Sequence, residues 1–302
     1  MKSTSLHNYN ADRGLNRYQK ILYLFLNWLN NLFPYSNLDE RIRLNKFNFN
    51  GWQDKWPLTY KDSSVARKFS DLFWMSLPWK AIEEELNKIN VFDTGCGSGN
   101  YGARLFDSSL GAINSYTGVD AKERSNWGDL MSKYKNFLLI KSSSNDISSI
   151  IPQDTNLFIT QTAIEHFDND LSFFEQIKAH IEKSNKPSLQ IHIFPAAATL
   201  PLYFFHGLRQ YTPRNISKIT RIFGNNSKFI LFGLGGGRGK RVHFKYFTWP
   251  VLITRKFKKP TFDAEQYDVE LKKAFEADVE KSTKSPIFWA LIIHTNSQRK
   301  IW

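Results

Sequence analysis

The sequence predicts an α/β fold built on a doubly wound, mostly parallel sheet. Three observations carry that reading. Short apolar runs alternate with helical stretches from residue 90 onward. The first run ends in a cluster of glycines, Gly95, Gly97 and Gly99. The next run ends in a carboxylate, Asp120.

The 302 residues allow one large domain with additions, or two modest ones. Residues 1–86 read as helical and aromatic, a cap or lid ahead of a ligand-binding domain over 87–302. Tyr18, Ile21, Leu22, Phe25, Trp28, Leu29, Leu32 and Phe33 recur at helical spacing and predict a packing or lid helix. Ser63 and Ser64 can cap a second helix running through Val65, Phe69, Leu72 and Phe73 toward Pro78.

Strands are predicted over 91–93, 116–120, 137–140, 157–160 and 189–194, with helices over 101–108, 124–134 and 170–183 between them. A further helix over 213–223 has Thr212 at its N-cap, Pro213 at its first position and Gly224 at its end. Strands over 229–232 and 287–294 close the pattern. Between them lies an insertion of about 235–285. Its first half holds Arg238, Lys240, Arg241, Lys245, Arg255, Lys256, Lys258 and Lys259; its second half reads as a charged surface helix over 263–281.

Lysine and arginine number 41 against 28 acidic residues, a net charge of +13. That excess bears on partners: nucleic acid, an anionic membrane or a phosphorylated small molecule. Aromatic residues make up 15%, enough for some rings to line a pocket or face a partner. The single cysteine, Cys96, excludes an intramolecular disulfide and a cysteine zinc cage. The longest apolar stretch, 194–205, is broken by Pro195 and Pro201, and the N-terminus has no signal-peptide pattern. The expected location is cytoplasmic, including the inner face of the membrane.

A strand ending in glycines and running into a helix lets a ligand approach bare backbone and a positive helix end. Gly97 to Gly102 matches the G-x-G-x-x-G string, which alone is weak evidence for a dinucleotide. Asp93 alters the balance. A carboxylate immediately ahead of the loop repels a pyrophosphate and suits a ligand carrying an ammonium and a sulfonium. S-adenosylmethionine carries both. Asp120 can accept from ribose hydroxyls of either ligand, so Asp93 is what argues against a nicotinamide oxidoreductase.

These residues carry a resemblance. Asp93-Thr94-Gly95-Cys96-Gly97-Ser98-Gly99 resembles the first motif of class I S-adenosylmethionine-dependent methyltransferases. Val119-Asp120 is similar to their second motif, and Ser144-Asn145-Asp146-Ile147 to their adenine-contacting segment. Gln161 to Phe167 is similar to the segment after strand four in the group that includes ubiquinone-pathway and sugar methyltransferases. The likeness covers about 86–234. It implies a Rossmann-like, seven-stranded sheet with its last strand antiparallel. It also implies S-adenosylmethionine as cofactor: Asp93 for the ammonium, Gly95, Cys96, Gly97 and Gly99 as the cradle, Asp120 and Ala121 for the ribose, Asn145 or Asp146 for the adenine, and Gln161 beside the methionine.

For a hydroxyl acceptor a general base helps, and His166 and His206 are the candidates. His192 alternates with Ile191 and Ile193 and reads as a core histidine. In some ubiquinone-pathway relatives a Glu-x-x-Glu-His pattern binds a metal; Thr162 stands where the first carboxylate would be, so no metal is expected. His206, Arg209 and Tyr211 are the expected acceptor-binding residues, lying after strand five. The function expected is O-methylation of a small molecule or a glycan precursor, as in surface-polysaccharide biosynthesis, with a phosphorylated or lipid-linked acceptor and peripheral contact with an anionic membrane. An RNA methyltransferase and a non-catalytic cofactor-binding protein are the alternatives.

Overall fold

The computed structural model describes residues 16–60, 63–143, 146–199, 202, 209–254, 263–280 and 285–302. One sheet organises them. Its strands are β1 (Ile42–Lys46), β2 (Ile89–Thr94), β3 (Ile113–Asp120), β4 (Phe137–Lys141), β5 (Leu157–Gln161), β6 (Ser188–Pro195), β7 (Ser227–Leu234) and β8 (Phe288–Thr295). Their spatial order is β1-β7-β8-β6-β5-β2-β3-β4. Every neighbouring pair is parallel except those of β8, which runs antiparallel to both β6 and β7.

The sheet has eight strands, one more than the seven expected. The extra strand, β1, lies in a stretch read as helical. Five residues of alternating character give too little signal for a strand, and the partner, β7, is far away in the chain. Ile42 faces the core opposite Phe229, while Leu44 is half-exposed on the edge strand.

The helices are α1 (Arg17–Leu32), α2 (Trp52–Lys55), α3 (Val65–Met75), α4 (Trp79–Leu86), α5 (Asn100–Ser108), α6 (Trp127–Lys133), α7 (Asp170–Ser184), α8 (Pro213–Thr220), α9 (Gly237–His243), α10 (Trp249–Thr254) and α11 (Ala264–Glu280). A π-helical turn, Phe244–Thr248, joins α9 to α10. Ser64 caps α3 by accepting from the Arg67 amide at 3.3 Å. Thr212 and Asn215 form a reciprocal capping box on α8, with Pro213 at the first position.

Side chains alternate across the sheet into two apolar layers. Leu157 and Ile159 of β5 join the layer that holds Phe69, Leu72 and Phe275. Phe158 between them points into the other, against Phe174 and Ile177 of α7. α11, read as a surface helix, is core on one face: Tyr267, Leu271 and Phe275 are fully buried. Phe275 lies 4.7 Å from the Trp52 ring and 5.2 Å from Phe69, so many aromatic rings fill the core of the N-terminal segment. From α11, the buried Asp278 accepts from the Arg238 and Gly239 amides, capping α9.

β2 has β3 on one side and β5 on the other, so the chain reverses its direction of travel across the sheet at that point. Such a reversal opens a crevice at the strands' carboxyl ends. The Tyr116 ring passes beneath α5 there. A Cβ on Gly102 would lie 2.2 Å from Tyr116 Cζ. Gly102→Ala should therefore cost about 1–3 kcal/mol, read in urea denaturation, although alanine is intrinsically the better helix former.

Candidate active site

β2 ends at Thr94 and the chain enters the loop through three left-handed glycines, with φ of 81° at Gly95, 56° at Gly97 and 75° at Gly99. A Cβ on Gly95 would lie 2.4 Å from the Ala163 Cβ, so only glycine lets the loop meet the segment after β5. A Cβ on Gly97 would meet nothing within 4 Å. There the left-handed backbone, and not crowding, requires glycine.

Backbone hydrogen bonds hold the loop on β3. The Gly95 and Cys96 amides donate to the Val119 carbonyl at 2.7 and 3.0 Å. The Gly97 amide donates to Asp120 Oδ2 at 2.9 Å, and the Lys122 amide to Oδ1 at 2.9 Å. The Trp127 indole donates to the Gly97 carbonyl at 3.0 Å.

Two cavities flank the loop and share Gly95 and Thr162. The first, of about 730 Å³, is lined by Asp93, Cys96, Gly97 and Gln161 and walled by Tyr60, Arg67, Tyr101 and Arg104. The second, of about 480 Å³, is lined by Asp120, Ala121, Arg124, Ser142, His166 and Phe167. Thr162 stands between them with a φ of 53°, a backbone state costly for a β-branched residue and concentrated at functional sites.

Asp93 is fully buried, and its Oδ2 accepts from the Tyr116 hydroxyl at 2.5 Å. Its Oδ1 has no partner among the described residues. Burial pushes its carboxyl up to about 7; nearby Asp120 adds to the rise and the Tyr116 hydrogen bond opposes it. The Gln161 side-chain oxygen accepts from the Trp74 indole at 2.6 Å, which leaves its buried Nε2 unpartnered. The Thr94 hydroxyl is buried and unpartnered as well. Three orphaned polar atoms at the end of two adjacent strands are a ligand-facing set.

Positive charge stands on the first cavity's wall. Asp71 of α3 is buried and accepts from the Tyr101 hydroxyl and, at 3.1 Å, from Arg104. Arg67 lies 4.8 Å above the Tyr101 ring, and Arg104 lies 4.8 Å above Tyr60. Arg104 is thus held by Asp71, and Arg67 by the ring of Tyr101, whose hydroxyl donates to the same carboxylate.

No protein-family model and no curated protein sequence matches the chain. It is similar to solved structures at low identity. The plantazolicin methyltransferase BamL, solved with a triazolic desmethylPZN analog and SAH, is 14% identical, with 93% of this chain and 100% of that one covered and a TM-score of 0.47. The [4+2]-cyclase SpnF is 12% identical over 72% of this chain and 79% of its own, with a TM-score of 0.46. A SAM-dependent methyltransferase from Aquifex aeolicus is 17% identical over 43% of this chain and 73% of its own, with a TM-score of 0.31. The sheet's own order and its antiparallel β8 carry the assignment. The fold is Rossmann-like, a doubly wound sheet with one antiparallel strand.

Within that fold the glycine loop, Asp93 and Gln161 fall together at the first cavity, and Asp120 with Ala121 at the second. His166 opens on the second cavity and is exposed. Asp146 is exposed and accepts from the Ser148 hydroxyl at 3.0 Å. Asn145 and His206 lie outside the described residues. The Cys96 thiol is pushed up by burial and by Asp93 and Asp120, which makes it a packing group.

Arg209 and Tyr211, expected to bind the acceptor, are a correction. Both are buried and line neither cavity. Arg209 donates to the carbonyls of Phe167 at 3.0 Å and Ile164 at 3.3 Å and pairs with Asp170 at 3.5 Å. The Tyr211 hydroxyl donates to Asp170 at 2.7 Å. They brace the segment between β5 and α7. His192 is buried between the Thr160 hydroxyl at 3.0 Å and Gln190, and burial pulls it down to about 3, so it stays neutral.

Tyr60, Arg67, Trp74 and Arg104, cavity or site-supporting residues, carry no motif that marks them in the sequence. Tyr60, Arg67 and Trp74 lie far from the glycine loop in sequence, and the Ser64 cap and the apolar spacing that marked α3 do not say that it lines the cavity.

Asp93 makes the unliganded protein sensitive to pH. A raised carboxyl contributes stability that is present below its unfolded value and lost as pH rises through about 7. Unfolding free energy should fall between about pH 4 and 7 with a slope of up to about 1.4 kcal/mol per unit. In Asp93→Asn that part of the slope should be absent in urea titrations across the range.

Proposed function

We propose that the chain is an S-adenosylmethionine-dependent methyltransferase acting on an oxygen of a small-molecule or glycan acceptor. The observation that supports this best is the buried, half-satisfied carboxylate of Asp93 at the foot of a glycine loop, with Asp120 across the loop from it. A pyrophosphate would meet two carboxylates there. A ligand with an ammonium at one end and ribose hydroxyls at the other would be matched at both.

The residues fit such a ligand. Asp93 Oδ1 would take the ammonium, and Gln161 Nε2 would donate on the methionine side. Asp120 would accept from the ribose, with Ala121 beside it. Arg67 lines the same cavity as Asp93 and suits the ligand's carboxylate. When bound, the cofactor supplies an electrophilic methyl group. The chain's part is to hold the acceptor in line and to exclude water. Tyr60 and Arg104 line the remaining wall and suit a flat or anionic acceptor.

Tyr101 is not set up as a base. Burial and the Asp71 carboxylate push its phenol up, so it donates a hydrogen bond and keeps its proton. That observation favours, as a second reading, a cofactor-binding protein without turnover.

Calorimetry separates these readings from a nicotinamide enzyme. S-adenosylmethionine and its demethylated product should bind and NAD should not. Asp120→Ala should weaken binding by about 10–100-fold, the size of losing hydrogen bonds to a charged acceptor. An ammonium beside Asp93 favours its ionised form, so below about pH 7 binding should release up to one proton. Titrations in buffers of different ionisation enthalpy measure it, and Asp93→Asn should abolish it. Binding of NAD alone would overturn the proposal.

A further inference from the structure

α1 is turned inside out. Two asparagines of its last turn face the protein: Asn30 is buried, donates to Asn215 at 2.9 Å and accepts from Arg214 at 2.6 Å. Asn31 donates to the Ala197 carbonyl at 3.1 Å. The opposite face is apolar and open to solvent, with Ile21 60%, Phe25 52%, Trp28 53% and Phe33 66% exposed. A contiguous exposed stripe of large apolar side chains marks an interaction surface.

A second exposed apolar element lies nearby. The Thr248 hydroxyl, at the start of α10, donates to the Leu202 carbonyl at 3.2 Å, and the Leu202 amide donates to Thr199 at 2.8 Å. Thr199 ends the turn that α1 touches through Ala197. α10 exposes Trp249 and Ile253. Both elements thus stand just beyond the carboxyl end of β6, the end of the sheet on which the candidate cavities open.

Charge selects the occupant. The sequence has no Asp or Glu from Asn16 to Leu38, and none between Glu182 and Asp263. Arg238 and Arg241 of α9, which leads into α10, are exposed. Two such faces from identical copies would repel. An anionic bilayer satisfies both features, since cations meet the headgroups while aromatic and aliphatic side chains enter the interface. No helix among the described residues is long and apolar enough to cross a membrane, so α1 would lie in the surface.

We propose that α1, with α10, docks the protein on an anionic lipid surface. The docking is independent of the methyltransferase reading. That the acceptor reaches the cavity from the bilayer rests on it.

The test is sedimentation of the full chain with phosphatidylcholine vesicles, with and without phosphatidylglycerol, beside the variant Phe25→Ser/Trp28→Ser/Leu32→Ser. Binding should require phosphatidylglycerol, weaken with added salt and fall at least about tenfold in the variant. The replaced side chains are half-exposed, and an unchanged thermal melt checks that the variant folds. Should Phe25→Ser/Trp28→Ser/Leu32→Ser fail that check, the single variant Phe25→Ser, expected to bind several-fold more weakly, decides the matter. No binding to phosphatidylglycerol vesicles, or binding that the serine variants leave unchanged, overturns the proposal. So does a dimer, seen by light scattering, that the variant dissolves. S-adenosylmethionine affinity, measured on the same variant, should not change, so failure of the cofactor reading is seen separately.

Discussion

A carboxylate buried at the end of an interior strand constrains much of what surrounds it. Asp93 has one oxygen satisfied by Tyr116 and one satisfied by none of the described residues. Leaving a buried charge so is costly, and the group answers by holding its proton. Tyr116 can reach Asp93 only because α5 carries glycine at position 102 and β3 carries glycine at 118, where a Cβ would stand 2.9 Å from the Tyr116 ring. Two glycines that a motif reading assigns to a ligand loop or to a plain strand thus serve the tyrosine that serves the acid.

The walls of the cavity depend on a second buried carboxylate. Asp71 ties α3 to α5 through Tyr101 and Arg104. Through it the N-terminal segment, which precedes the glycine loop in sequence, becomes one side of the crevice. The same segment supplies Trp74, whose indole turns the Gln161 amide so that its NH₂ is the free end. Positioning therefore comes from residues well outside the motif.

The central strands were legible because each is a short apolar run set between helical stretches, and the β2 loop was legible because left-handed backbone demands glycine. What was not legible depended on direction and distance. Periodicity showed that α1 has an apolar face, but it does not say which face turns inward; Asn30 and Asn31 on the other side decide that. β1 is defined by a partner strand, β7, that its own five residues do not announce. Arg209 and Tyr211 looked like acceptor ligands because they follow a strand end, where ligands bind. Their burial on Asp170 is a tertiary fact, and it makes them braces.

The two cavities also have opposite electrostatic ends, which bears on selectivity. Asp93 and Asp120 hold the floor on either side of the loop, and Arg67 and Arg104 stand on the wall of the first cavity. A ligand with only negative charge is repelled by the floor, and one with only positive charge meets the arginines. A ligand with an ammonium, a carboxylate and a sulfonium offers each charge to its opposite. Because burial pushes the Asp93 carboxyl up to about 7, it is only partly ionised near neutral pH, and a cation beside it would complete its ionisation. The protein thereby limits the cost of an ionised, unpaired carboxylate in its core, and an ammonium arriving there would supply the partner that Asp93 Oδ1 lacks among the described residues.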